Sequence, residues 1–135
     1  PDAVAIEGTV RTLSEGTRTR VREAFTRAVA GIAAAQGATA EVDYRCELPV
    51  TINAVGVVES LRQTGEALLG PENVVEIATP SMGGEDFSFY LQSVPGALVR
   101  LGVAPGRPAL HASGFDFNDD ALATGMLLLA GWVLT

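Results

Sequence analysis

The chain has 135 residues, 47% of them hydrophobic, and sets nine basic residues, all arginine, against sixteen acids for a formal charge of −7 at pH 7. Nucleic acids and anionic membrane surfaces are held by clustered cations, so this balance argues against both as partners. The length fits one domain or two incomplete ones, with enough apolar residues to build a core.

Cys46 is the single cysteine. It has no intrachain disulfide partner, and a cytoplasmic setting is the default expectation. No charged-then-apolar leader opens the sequence. The chain begins at Pro1-Asp2 and runs directly into a strand pattern, which we read as a piece of a longer protein. The longest apolar run, 121–134, falls short of the ~20 residues that span a bilayer and predicts a buried helix.

Residues 3–12 alternate, with Val4, Ile6, Gly8 and Val10 on one face and Glu7, Thr9 and Arg11 on the other. That period predicts a strand with one covered and one polar face, as in an antiparallel sheet packed on helices. Arg11 reads locally as a solvated residue or a cross-strand partner of Glu7. Ser14 is placed to cap a helix whose apolar positions, Val21, Phe25, Ala28, Val29 and Ile32, recur at three- and four-residue spacing up to Gly37. Four arginines (Arg18, Arg20, Arg22, Arg27) fall in this helix and read as a solvated face. Residues 39–46 alternate again, with Val42, Tyr44 and Cys46 inward and Asp43 and Arg45 outward, so Cys46 reads as packing.

Glu47-Leu48-Pro49 breaks the pattern, and a domain boundary is expected here, between 1–48 and 49–135. Asn53 is placed to cap a helix over 54–69, with Val58, Leu61 and Leu68 inward, and Gly70-Pro71 stops it. A short strand over 73–78 leads to Ser81-Met82-Gly83-Gly84-Glu85-Asp86 and a helix begun by the apolar 87–91. Val94-Pro95-Gly96 ends that helix, 97–103 reads as a strand inside a sheet, and a loop over 104–109 leads to His111 and the final helix. Helices alternating with strands imply an α/β layer with a mainly parallel sheet in the second section.

Three groups stand out chemically. Gly83-Gly84 frees the backbone for positive φ and close approach of N–H groups to a ligand. Glu85 and Asp86 sit where a helix dipole favours acids whatever else they do. His111, the single histidine, follows a loop after a strand; taken alone, an imidazole there packs or hydrogen-bonds more often than it binds metal, since zinc takes three or four ligands.

The segments PSMGGEDFSFYLQSVPG (80–96) and LHASGFDFNDDAL (110–122) together resemble the C-terminal end of the zinc-dependent aminoacylase and hippurate-hydrolase type amidohydrolases, which include carboxypeptidases that cut N-acyl amino acids. AIEGTVRTL (5–13) resembles the strand of that family's lid, and ATAEVDYRCELPVTINA (38–54) its return to the catalytic domain. The resemblance runs over essentially the whole chain yet accounts for only about the last third of a family member.

It implies an α/β fold: part of a ferredoxin-like β-α-β lid and dimerisation domain over 1–48, then the C-terminal part of an α/β zinc-peptidase catalytic domain over 49–135. It implies hydrolysis of the amide bond of N-acyl amino acids or hippurate-like small peptides, with a divalent metal polarising the carbonyl and activating water. Zinc is the expected ion, with manganese, cobalt or nickel as alternatives. By the same resemblance His111 is a metal ligand, although Ala112-Ser113 stands where the family usually has Ser or Thr and then Pro. Arg11 holds the substrate carboxylate, and Gly83, Gly84 and Glu85 line the substrate pocket. The general-base glutamate and the other ligands belong to an upstream part of the same protein. The 135 residues alone are therefore expected to be inactive and, with open edges and uncovered apolar faces, to self-associate; the intact protein is expected to be a homo-oligomer. The alternative is a truncated, non-catalytic homologue serving dimerisation or binding.

Overall fold

Ser14 starts the first helix as its sequence position predicts. Its backbone is extended (φ −154°, ψ 150°) and its Oγ accepts from the Thr17 N–H at 3.1 Å, satisfying a donor the helix cannot. Helix α1 then runs Glu15–Ala35. It ends in a left-handed Gly37 (φ 69°), with the Gly37 N–H donating to Ala34 O at 3.1 Å and the Ala38 N–H to Ala33 O at 2.9 Å. Those two bonds satisfy carbonyls that the last turn leaves open.

The computed structural model describes residues 1–103, 106 and 108–135. Ala104, Pro105 and Arg107 of the expected 104–109 loop lie outside the described residues. The chain forms two units, Pro1–Thr51 with Thr79–Tyr90, and Ile52–Ala78 with Leu91–Thr135.

In the first unit the apolar stripe of α1 meets the 39–46 segment, where the Phe25 and Tyr44 rings stand edge-on with centroids 6.3 Å apart. The start of α1 is tied to the chain at 48–50. Arg18 pairs with Glu15 at 3.0 Å and donates to the Leu48 carbonyl, while Glu15 accepts from the Val50 N–H at 3.1 Å. The arginine-rich face is therefore not uniformly solvated, since Arg18 is used as a tether. Helix α3, Phe87–Leu91, also belongs to this unit up to Tyr90.

In the second unit helix α2, Val55–Leu69, packs on helix α4, Asp120–Val133. Leu61 on α2 and Ala121 on α4, each 7% exposed, are the buried apolar side chains among the described residues. Small residues let the helices approach: a Cβ on Gly65 would stand 3.6 Å from Leu128 Cδ1, and one on Gly131 would collide with Leu68 Cδ1. The Trp132 indole N–H donates to Ser60 Oγ at 2.9 Å across the pair. Gly70 (φ 90°) ends α2, a 3₁₀ turn follows over Pro71–Asn73, and Asn73 Nδ2 donates back to Leu69 O at 2.7 Å.

The helices expected from periodicity are present, but the strands are not. Among the described residues, 3–12, 39–46, 73–78 and 97–103 form no β-ladder, and 73 belongs to the 3₁₀ turn. A helix closes its hydrogen bonds within itself, whereas a strand depends on a neighbour, and a lone two-stranded pairing is marginal in water. The faces predicted to be covered stay open accordingly, with Ile6 90% exposed. Val58 and Leu68 are 40% and 43% exposed; Leu68 still lies against Gly131 of α4, and Leu61 is the buried one of the three expected inward on α2. Cys46, expected to pack, is exposed. No helix among the described residues is long and apolar enough to cross a membrane.

Candidate functional site

Arg11 and the glycine loop, 71 residues apart in sequence, meet in the first unit: Arg11 Nη1 donates to the Met82 carbonyl at 3.0 Å. A guanidinium carries five N–H donors in a planar fork, so one bond to a carbonyl orients the group and leaves most of the fork open. Arg11 is exposed, as are Gly83, Gly84 and Glu85. The local alternative, pairing with Glu7, is not formed.

The two glycines serve the loop differently from the expectation. Neither takes a positive φ. The Gly83 N–H donates to Ser81 Oγ at 3.1 Å and is thus used within the loop. Gly84 is needed for space: a Cβ there would lie 2.7 Å from Leu48 Cδ1 and 3.7 Å from Arg11 Nη1. Leu48, Arg11 and the loop backbone thus crowd one point, and the missing side chain permits the approach.

Glu85 performs the helix-start role foreseen for it, its Oε1 accepting from the Phe87 N–H at 3.2 Å. The Glu85 and Asp86 carbonyls accept from Ser88 N and Phe89 N at 3.1 and 3.0 Å, opening α3.

His111 lies in the second unit, on the connection between 97–103 and α4. Its φ of 70° is left-handed, and it is the non-glycine residue with positive φ among those described. A left-handed L-residue costs roughly 1–2 kcal/mol, and an observed outlier of this kind points toward function. Tight turns fix it on both sides, with Ala112 N donating to Ala109 O at 3.0 Å and Phe115 N to Ala112 O at 2.9 Å. The imidazole is exposed.

The residues present do not by themselves fit a metal ion. Among those described, no three or more His, Cys, Asp and Glu side chains gather where an ion could be held, and a catalytic zinc site takes three protein ligands.

Asn53 was placed by the sequence as the α2 cap, and the structure corrects this. The cap residue is Ala54, with no side-chain cap bond. The Asn53 carboxamide instead reaches 45 residues along the chain, Nδ2 donating to Leu98 O at 3.1 Å and Oδ1 accepting from Leu98 N at 2.9 Å. No local spacing encodes such a contact. An open cleft along α1, lined by Glu15, Arg18, Arg22, Glu23, Arg27 and Cys46, was likewise unforeseen; its mixed charges single out no ligand.

The chain matches the family described as Peptidase family M20/M25/M40 over residues 2–135, and it belongs to that family of hydrolytic enzymes. Peptidases of this family are generally metal-dependent. The chain is 37% identical to N-acetylcysteine deacetylase of Bacillus subtilis (strain 168), over 90% of this chain and 31% of that protein. It is 31% identical to Thermostable carboxypeptidase 2 of Saccharolobus solfataricus, over 94% of this chain and 33% of the relative. With IAA-amino acid hydrolase ILR1-like 2 of Arabidopsis thaliana it shares 30% identity, over 96% of this chain and 30% of that protein. The chain thus spans about a third of the length of these relatives. No solved structure matches it significantly.

Proposed function

We propose that these residues are the C-terminal third of a metal-dependent amidohydrolase that cleaves the amide bond of N-acyl amino acids or hippurate-like small peptides. The observation that carries this reading is the Arg11–Met82 bond, which joins a cation suited to a carboxylate with the glycine loop suited to line its pocket. Arg11 seats the substrate carboxylate by a charge-assisted fork, and Gly83, Gly84 and Glu85 form the adjoining wall. His111, held by its turns in a left-handed conformation, is one ligand of a divalent ion, zinc before manganese, cobalt or nickel. The remaining ligands and the general-base glutamate come from an upstream part of the same protein.

On this reading 1–48 is the partial ferredoxin-like lid and dimerisation domain and 49–135 the C-terminal part of the catalytic domain. The intact protein is a cytoplasmic homo-oligomer acting on small molecules, with neither nucleic acid nor membrane as partner. The 135 residues alone are inactive. The relative named N-acetylcysteine deacetylase supports the substrate class, since its name specifies an N-acyl amino acid.

The test is hydrolysis of N-acetyl and N-benzoyl amino acids by the full-length protein. Activity is expected to disappear with a chelator and in His111→Ala. Arg11→Ala is expected to raise KM by about 10–100-fold, the scale of a lost charge-assisted hydrogen bond, and to lose its effect on substrates whose carboxylate is amidated. Full activity in chelator, or in His111→Ala, would overturn the reading in favour of a non-catalytic binding module.

A further inference from the structure

We infer that Asn53 is a positioning residue: its carboxamide takes the place of a neighbouring β-strand for Leu98 and so holds one end of the connection that carries His111. The bonds are reciprocal, Asn53 Nδ2 to Leu98 O at 3.1 Å and Leu98 N to Asn53 Oδ1 at 2.9 Å. Two residues opposite one another in an antiparallel ladder exchange the same pair of bonds. Only Asn and Gln carry a neutral donor and acceptor on one planar group able to do this from a side chain. The next residue adds a backbone bond, Ala54 N to Gly96 O at 2.8 Å, so the start of α2 is stitched to 96–98 at three points.

The consequence for His111 follows from what holds each end of its connection. Upstream, 96–98 is fixed on the start of α2 by Asn53 and Ala54. Leu101 continues the contact toward α4, its Cδ2 lying 3.1 Å from where a Gly125 Cβ would stand. Downstream, α4 is fixed on the body of α2 through Leu68 against Gly131 and the Trp132–Ser60 bond. One helix therefore grips both ends of the His111-bearing connection, and within it the histidine is set by its own turns. Register matters at the upstream end, because a slip of one residue in an extended segment turns every side chain to the opposite face. The value of placing His111 rests on the function proposed above; the grip itself does not.

The test uses the full-length protein, in which the His111 and Trp132 signals are assigned by their loss in His111→Gln and Trp132→Phe. Amide hydrogen exchange at Leu98 is compared in the parent, Asn53→Ala and Asn53→Asp, together with the His111 imidazole resonances by NMR. Trp132 fluorescence reports that α2 and α4 remain packed. In Asn53→Ala, Leu98 exchange is expected to accelerate roughly tenfold or more, the scale of losing one or two hydrogen bonds, and the His111 resonances to shift while Trp132 does not. Asn53→Asp is close in shape and carries the test should the alanine variant not fold: its carboxylate has no donor for the Leu98 carbonyl, so the His111 signal should shift there too. Unchanged Leu98 exchange in Asn53→Ala would overturn the clamp. Faster exchange with His111 unmoved in both variants would overturn the positioning role. Neither readout depends on hydrolysis, so a failure of the amidohydrolase reading would be distinguishable from a failure here.

Discussion

Replacing Gly84 by alanine tests whether the loop packs as closely on Arg11 and Leu48 as its geometry requires. The new Cβ would lie 2.7 Å from Leu48 Cδ1, well inside ordinary contact, and 3.7 Å from Arg11 Nη1. Overpacking costs roughly 1–3 kcal/mol. Gly84 does not take a positive φ, so alanine also recovers about 0.4–1 kcal/mol from a less flexible unfolded chain. The opposing terms leave a net destabilisation of up to about 2 kcal/mol, reduced to the extent that the end of the half-buried Leu48 side chain turns aside. Gly83→Ala is the control: its Cβ meets only Ser81 Oγ, at 3.3 Å, and a serine side chain can turn aside. Urea unfolding followed by circular dichroism gives the two stabilities, and the Arg11 side-chain N–H resonance reports the Met82 bond. Gly84→Ala should shift both and Gly83→Ala neither. Adding Leu48→Ala removes the colliding methyl and should recover about 1 kcal/mol of the Gly84→Ala loss in a double-mutant cycle. Equal stability of the two alanine variants, or no recovery with Leu48→Ala, would refute the close packing of this loop.

Acid should weaken α2 through Glu59. The hydrogen bond from Arg62, with Gln63 adding a second, holds the Glu59 carboxyl below the usual range, so its contribution is present above the unfolded-state pKa and disappears as pH falls through the lower folded one. Melting temperature should therefore drop from pH 7 to 3 more in the parent than in Arg62→Gln, and high salt should shrink the difference because the pair is exposed. At position 111 glycine should be more stable than alanine by about 1 kcal/mol in thermal melts, since only glycine adopts a φ of 70° without strain; equal stabilities would mean that the left-handed turn is not kept in solution.

The helices were legible because each carries its signals within itself. Ser14, the apolar stripe from Val21 to Ile32 and Gly37 mark α1, and Gly70-Pro71 marks the end of α2. Glu85 was legible for the same reason, its bond partner Phe87 lying two residues away. The Asp43–Arg45 pair, 2.6 Å apart, also follows from placing both on one face of an alternating segment. What the sequence concealed is long-range. Asn53 looks like a cap because a cap is the nearest use for an Asn before a helix, and Leu98 is 45 residues away. Gly84 reads locally as a source of positive φ because local rules treat glycine as conformational freedom, whereas it lacks positive φ and lies against a leucine 36 positions earlier. Arg11 was singled out by family resemblance alone, and its bond to Met82 could not have been inferred from either segment separately.

The strands missing among the described residues have a physical origin in apolar faces that stay open. The open apolar residues include those of the expected strands, Val4, Ile6, Val10, Val75, Ile77, Leu98, Val99 and Leu101, and also helix residues such as Ile32 on α1 and Met126 and Val133 on α4, the helix expected to be buried. A strand needs neighbours for its backbone and a layer for its face, and both would be supplied by the same covering surface. A metal site has the same dependence, because an imidazole becomes a ligand only when other donors converge on it. Within each unit the local features, the Arg11–Met82 bond and the Gly84 loop in the first and the left-handed turn at His111 in the second, are formed without that covering. The ladder bonds, which require it, are missing among the described residues. Covering of these apolar faces is thus expected to be what completes the sheet.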